Sequence, residues 1–592
     1  MMPPVSAADV VWDLSPLYAG PDDPRLEADM AEAARAAAAF AARHRGRLAT
    51  IAAGELARAL VEYETIEELG RRPSFYASLL FAADTASEAA RRLVERTREA
   101  WIDVVNELTA FEIEIKELSD ERYAALVADP ALASARHWMD DLRRLRPHTL
   151  SEAEERLINE KNLAGRDAFV RLFDELTSSL RFRVEVDGAV RTLTGEETLA
   201  LLHQPDAQLR ERAHTAFLET HAEHGLVLAS IFNAILYDHR LECELRRYAD
   251  PATPTHLENE VRPATVEAMM AATEGHYPLA QRYFRLKAGL LGVPRLKTSD
   301  VYAPLATTSA AVSFEEARRL VLDAFAGFSP RVAALAEEFF ARRWIDAAVR
   351  PGKRLGAFCA SLGPRTNPWV LLSFTDTPRD VSTLAHELGH GIHDRLAGRQ
   401  RALDFQPPLV LAETASTFAE MLVMRRLLAA ETRPEVRRAI IAAKIDDTVG
   451  TVFRQNVLTR FEMAAHARRR DGVLERDAIG DLWWTENARL YGDAVEMPAA
   501  YRWGWSYIPH FIHSRFYCYA YVFGELLVLS LYRRYLEEGE RFVPRYLDLL
   551  GAGGSEAPDV LLRRLDVDVD DPAFWDGGFA VVASLVDELA AA

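Results

Sequence analysis

Apolar residues recur three or four positions apart along most of this chain, as in Leu26-Met30-Ala33-Ala37 and Phe314-Ala317-Val321-Phe325. That spacing lays an apolar stripe along one side of a helix, and the Ala, Leu, Glu and Arg that dominate these stretches are good helix formers. The pattern predicts a mainly α protein. Two places depart from it. Arg181 to Val186 alternates, Asp187-Gly188 follows, and Ala189 to Leu193 continues the run, which is the signature of a hairpin closed by a two-residue turn. Arg354 to Cys359 and Trp369 to Phe374 flank the loop from Gly363 to Pro368 and read as a second hairpin. No self-similarity with a period of roughly 20 to 50 residues is present, which disfavours a regular solenoid. The first hairpin divides the chain, on this reading, into an N-terminal helical region (1–195) and a larger unit (196–592). No Gly/Ser linker separates them, so the two are expected to pack together.

Composition narrows the class. The chain has 592 residues, 49% of them apolar, with 70 Lys+Arg against 89 Asp+Glu for a net charge of −19. A large folded core is expected and bulk disorder is not. An acidic chain without a Lys/Arg block argues against a nucleic-acid partner. No run approaches the roughly 18 uncharged apolar residues that would span a bilayer. The N-terminal residues also lack a basic segment followed by an apolar one, so no membrane partner and a cytoplasmic address are expected. Three scattered cysteines, Cys243, Cys359 and Cys518, suit a reducing compartment and exclude a sulfur-ligated structural zinc.

The chemistry begins at Thr377-Pro378-Arg379-Asp380, which has the form of an N-cap, a first-turn proline and an acidic capping-box partner. A helix therefore starts just before the histidines. Leu384, Leu388, Ile392 and Leu396 make one stripe on it, and His386, His390 and His393 make another. His386 and His390, four apart, can reach one metal ion. Glu387 is rotated off that line and can approach a water instead, as His-Glu-x-x-His requires. A catalytic zinc needs a third ligand, and carboxylate is the expected partner of two imidazoles. Leu409 to Glu420 reads as a second helix carrying two same-face candidates, Glu413 and Glu420, and spacing does not choose between them. His393 reads as cavity lining. A third cluster, Trp503 to Tyr521, carries His510, His513, Tyr517 and Tyr519, whose side chains can donate to a developing oxyanion.

Four segments together carry a resemblance: Trp12-Asp13-Leu14-Ser15-Pro16-Leu17-Tyr18, His386 to His393, Glu413-Thr414-Ala415-Ser416-Thr417, and Ile508 to Tyr519. In order and spacing over nearly the whole chain, the sequence resembles the oligoendopeptidase F family, relatives of thimet oligopeptidase. The resemblance implies a multi-helix, zincin-like zinc metallopeptidase with small β hairpins, an enclosed substrate channel, and one zinc ion per chain. It makes His386, His390 and Glu413 the zinc ligands and Glu387 the general base. It also makes His510 and one of Tyr517 and Tyr519 the transition-state donors, with Tyr519 preferred. The implied activity is hydrolysis of internal bonds in short peptides, by Glu-assisted attack of a zinc-bound water. The strand from Gly356 to Cys359 is a candidate edge for an added peptide strand. A zinc carboxypeptidase, which needs a cation for the terminal carboxylate, and a catalytically idle helical scaffold are the alternatives; an intact Glu387 argues against the second.

Overall fold

The expected helices form where the spacing puts them, and local caps explain where they begin. The computed structural model describes residues 6–305 and 311–592, so the first five residues of the N-terminal stretch considered above lie outside it. Pro24–His44 is capped by the Asp23 side chain and buries Leu26, Met30, Ala33 and Ala37. Phe314–Phe328 is capped by Ser313 and buries Phe314, Ala317, Val321 and Phe325. Strands β1 (Phe182–Val186) and β2 (Ala189–Leu193) pair antiparallel from Phe182 opposite Leu193 to Val186 opposite Ala189. Asp187 and Gly188 between them have φ of 54° and 77°. Positive φ at both positions is what a two-residue turn needs to match the twist of its strands.

Of the described residues, those within Met1–Arg146, Ala310–Ala430 and Arg534–Val567 form one compact unit, and those within Pro147–Ser309, Glu431–Arg533 and Asp568–Ala592 form another. The first unit has a core cluster in which Phe40 meets Phe111 edge-on with ring centres 4.9 Å apart, and Tyr63 stacks on Phe111 at 5.7 Å. It also holds a three-stranded sheet, and the second unit holds β1–β2 and a short parallel pair, β3 (Leu296–Lys297) with β7 (Val495–Glu496).

In the first unit the sheet runs β4 (Ile345–Asp346), β6 (Trp369–Leu371), β5 (Phe358–Ala360), with β5 antiparallel and β4 parallel to β6. The second hairpin is therefore present with shorter strands than the sequence reading gave them. Gly356, with φ of 83°, turns the chain just before β5, and beyond β6 the Leu372 N–H goes to Asp346 O of β4 at 2.9 Å. The N-terminal Trp12-to-Tyr18 segment lies against this sheet. The Asp13 N–H bonds Arg343 O at 2.8 Å, the Trp369 indole donates to Asp13 O at 3.3 Å, and the Tyr18 hydroxyl donates to Asp29 at 2.7 Å.

The second unit packs helices that include Ala207–Glu223, Gly225–Leu245, Pro434–Thr448, Arg454–Arg469 and Arg476–Tyr491. A π-helical turn, Val449–Phe453, joins the third of these to the fourth. Its interior holds Lys287 against Asp446 at 2.7 Å and Arg210 against Asp300 at 2.9 Å. The three cysteines are free thiols. Among the described residues no helix is long and apolar enough to cross a membrane.

The sheet of the first unit rests on a buried charge cluster. Asp346 is fully buried and receives Lys353 Nζ at 2.7 Å and both terminal nitrogens of Arg350 at 2.7 and 2.8 Å. Removing the carboxylate strands a buried lysine, which typically costs about 3–5 kcal/mol. Asp346→Ala should therefore lower the denaturant midpoint by a corresponding amount. A midpoint within error of the parent would show that the cluster carries no such weight.

Candidate metal centre

The helix that carries the histidines, Pro378–Ala397, starts as its sequence requires. Thr377 Oγ1 accepts the Asp380 N–H, and Asp380 Oδ2 accepts the Thr377 N–H. With the register set at that end, Leu384, Leu388, Ile392 and Leu396 are all buried in the core. His386 and His390 consequently sit half-buried on another face. His393, one turn beyond His390, is buried, and burial pushes it down to about 3, so it is a neutral lining residue.

The opposing helix, Thr414–Ala430, brings the carboxylates. The sequence reading of one helix from Leu409 to Glu420 needs correction. Leu409–Ala412 is a single turn, and Glu413 breaks from it with φ −84° and ψ 2°. The Ala412 carbonyl is turned to hydrogen-bond both His390 and His393, so the break that frees it also aims Glu413. The two helices approach closely because residue 389 is glycine. A Cβ there would stand 2.6 Å from both Ala415 O and Ser416 Cα, far inside contact distance.

His386 Nε2 and His390 Nε2 are 3.2 Å apart, and Glu413 Oε2 is 3.4 Å from each. Zinc bonds of about 2.0–2.1 Å in a tetrahedron give edges of about 3.3 Å. Three lone pairs converging at that separation repel one another unless a cation lies among them, so these residues fit a zinc ion. Among the described residues they are the one group of three whose ligand atoms lie within 4.8 Å of one another. Ser416 Oγ donates to Glu413 Oε2 at 2.6 Å and fixes the carboxylate.

Glu420 occupies the other side of the same ring. Its Oε1 lies 2.6 Å from His386 Nδ1. That nitrogen donates, which leaves the Nε2 lone pair facing Glu413 and His390. Seven residues apart on one face, the two glutamates thus bracket His386. Burial alone would lower His386, but the hydrogen bond and charge of Glu420, then Glu413 and Glu387, raise it to about 9. The pocket attracts positive charge.

Glu387 is 5% exposed, and burial lifts it to about 7 against the opposing pull of His386. Its carboxylate receives the backbone N–H of Cys359. The sheet explains this contact. Val370 and Leu372 send their N–H groups to Trp344 O and Asp346 O on the β4 side, so Trp369 and Leu371 face β5. Their partners Ala360 and Phe358 face β6, and the amide of Cys359 between them points off the open edge. The edge residue is Cys359; Gly356 lies before the strand.

The remaining predicted residues lie in the second unit. His510 opens the short turn His510–His513. Its ring stacks on Tyr517 at 5.8 Å and meets Tyr521 edge-on at 5.8 Å, with Tyr521 Oη 3.5 Å from His510 Nε2. His510 Nδ1 is buried without a hydrogen-bond partner among the described residues. Tyr519, preferred from the sequence as the donor, is placed otherwise. It is 1% exposed, and its hydroxyl donates to Thr255 O at 3.1 Å and accepts the Asn259 side-chain amide at 3.2 Å, with His256 Nδ1 at 3.1 Å. His513 is taken by Asp174 at 2.8 Å. Tyr521, which the sequence reading did not single out, joins the His510 and Tyr517 rings, its ring centre 5.3 Å from that of Tyr517.

Residues 200–581 match the family model for peptidase family M3, and residues 114–182 match that for oligopeptidase F. Oligopeptidase PepF of Bacillus subtilis is 24% identical over 553 residues, covering 92% of this chain and 82% of that protein. Group B oligopeptidase PepB of Streptococcus agalactiae is 26% identical over 546 residues, covering 90% of each. The crystal structure of oligoendopeptidase-F from Enterococcus faecium shares the fold, with a TM-score of 0.73 at 23% identity, covering 95% of this chain and 98% of that one.

The glycine contact gives a direct test of the site's architecture. Gly389→Ala must push the two helices apart, at an overpacking cost of about 1–3 kcal/mol. It should lower the thermal midpoint and also shrink the rise in midpoint on adding zinc. An unchanged response to zinc would mean that the close approach does not set the ligand geometry.

Proposed function

This chain belongs to peptidase family M3, and on that premise we propose that it is a zinc-dependent oligoendopeptidase that cuts internal bonds of short peptides. Family membership makes it a metallo-oligopeptidase. The observation that carries the finer reading is the triangle of His386 Nε2, His390 Nε2 and Glu413 Oε2 with edges of 3.2 to 3.4 Å, with Glu387 beside it. Two imidazoles and a carboxylate are a catalytic zinc set that leaves a coordination position open.

His386, His390 and Glu413 would hold the zinc ion, which would supply Lewis-acid chemistry toward the scissile carbonyl and a water nucleophile near neutral pH. Glu387 accepts the proton of the attacking water on its carboxylate and returns it to the departing amine nitrogen. Glu420 acts through His386: by holding Nδ1–H it fixes the ring and strengthens Nε2 as a donor. The open edge of β5 is the place where an extended substrate can add by main-chain hydrogen bonds, sharing the Cys359 amide with Glu387. We assign the hydrogen-bond-donor role expected of the 503–521 segment to His510 with Tyr517 and Tyr521, since the Tyr519 hydroxyl is engaged by Thr255 and Asn259.

A mixed peptide set digested with and without chelator, read by mass spectrometry, tests the assignment. Internal cuts that chelator abolishes are expected. Stepwise loss of single C-terminal residues would make it a zinc carboxypeptidase, and intact peptides would leave a scaffold.

Two substitutions test the residue roles. Glu387→Gln should keep bound zinc and the thermal midpoint while kcat falls by about 10²–10⁴-fold, the usual worth of a positioned acid–base group; cleavage at the parent rate would sink the mechanism. Glu413→Ala should lose zinc on dialysis, whereas Glu420→Ala, which removes only the support of His386, should weaken affinity by about 10–100-fold. Equal zinc retention in the two variants would reverse the choice of third ligand.

A further inference from the structure

The second unit contains a cation without a counter-ion. Most buried cations there meet a carboxylate: Arg210 has Asp300, Lys287 has Asp446 and Lys444 has Glu525 at 3.1 Å. Arg454 does not. Its Nη2 donates to Tyr507 Oη at 3.0 Å, and Tyr302 turns its hydroxyl to the same guanidinium. The other groups that act on it electrostatically include Tyr501 and Tyr491, again neutral phenols. Among the described residues no carboxylate lies within ion-pair distance of Arg454. A guanidinium presents five N–H donors in a planar fork. Withdrawing it from water without an anion is costly, and hydroxyls that accept a single bond each do not replace one.

The surroundings are those of a binding site. Arg454, Tyr507, Tyr302 and His510 are all half-buried, reachable from solvent and held by packing at the same time. Arg454 is the first residue after the π-helical turn Val449–Phe453. Such turns interrupt a helix at a cost in hydrogen bonding and are concentrated at functional sites. Burial and then the charge of Arg454 push His510 below the usual imidazole range, so the two groups lie within electrostatic reach.

We propose that Arg454, oriented by Tyr507 and Tyr302, binds a carboxylate of the peptide substrate and so anchors it. The inference rests on the oligopeptidase reading and adds the feature of the peptide that is recognised. A carboxylate fits the planar fork in bidentate fashion. It is also the anion every linear peptide carries at its C-terminus. An Asp or Glu side chain of the peptide offers the same group.

The test uses the full chain carrying Glu387→Gln and loaded with zinc, so that binding is read without turnover. One short peptide containing a single internal Glu is compared with its C-terminal amide and with its Glu-to-Gln form. With Arg454 present, removing the recognised carboxylate should raise Kd at least about tenfold; an effect of amidation identifies the terminal carboxylate, and an effect of the Gln form identifies the side chain. In the Arg454→Met variant the three peptides should bind within about twofold of one another. If that variant does not fold, Tyr507→Phe, which keeps the guanidinium and removes one hydrogen bond, should reduce the discrimination several-fold. Equal Kd values for the three peptides on the Arg454 protein, or discrimination that survives Arg454→Met, would overturn the proposal. Chelator-sensitive cleavage by the unsubstituted enzyme tests the oligopeptidase reading separately, so either conclusion can fail alone.

Discussion

The close approach of two helices at Gly389 is the constraint on which the site depends. The backbone of Ala415 and Ser416 occupies the space that any side chain at 389 would need. Only at that distance do the two imidazoles, borne by one helix, and the Glu413 carboxylate, just ahead of the other, bring their atoms to 3.4 Å or less. The same proximity lets Glu420 reach the far side of His386 and lets the Tyr546 hydroxyl donate to Thr414 O at 2.7 Å, pinning the start of the carboxylate helix. Gly391, two residues on, repeats the device against the ring of Phe339. Precision here comes from missing side chains as much as from present ones.

Much of this was legible in the chain. The capping box at Thr377, the leucine stripe and the pair His386 and His390 follow from helical periodicity, which survives folding unchanged because it is local. The hairpin at Asp187-Gly188 was equally readable, since the turn demands residues that tolerate positive φ. What was not legible depends on contacts far apart in sequence. The break at Glu413 exists because the Ala412 carbonyl is claimed by histidines about twenty residues earlier. The choice between Glu413 and Glu420 turns on which nitrogen of one ring each faces. Of Tyr517 and Tyr519 the sequence favoured Tyr519, and nothing near it in the chain shows that Thr255 and Asn259, some 260 residues away, claim its hydroxyl. Strand β4 is two residues long and carries no periodicity to detect.

The division into units is a further thing that a linear reading does not reveal. Each unit is assembled from three separate stretches of chain, so segments adjacent in sequence belong to different cores. Within each, buried ion pairs fix the layout: Asp346 with Lys353 and Arg350 in the first, Lys287 with Asp446 and Arg210 with Asp300 in the second. Such pairs contribute little net stability over apolar replacements, but breaking one is expensive, so they penalise alternative packings. Against that background a cation left facing only phenols is out of character for the molecule.

At the open edge of β5 the amide of a single residue, Cys359, points outward and donates to Glu387. A chain added there, as proposed, would be examined through its backbone. Side-chain identity then matters little, but a ring closed onto the nitrogen or an inverted α-carbon would spoil the match, because proline has no N–H to give and a D-residue turns its neighbours out of register. If a substrate strand adds at this edge as proposed, its selectivity would be written in chirality and amide hydrogens: a filter that admits nearly every ordinary sequence while turning away peptides already protected by proline or by D-amino acids.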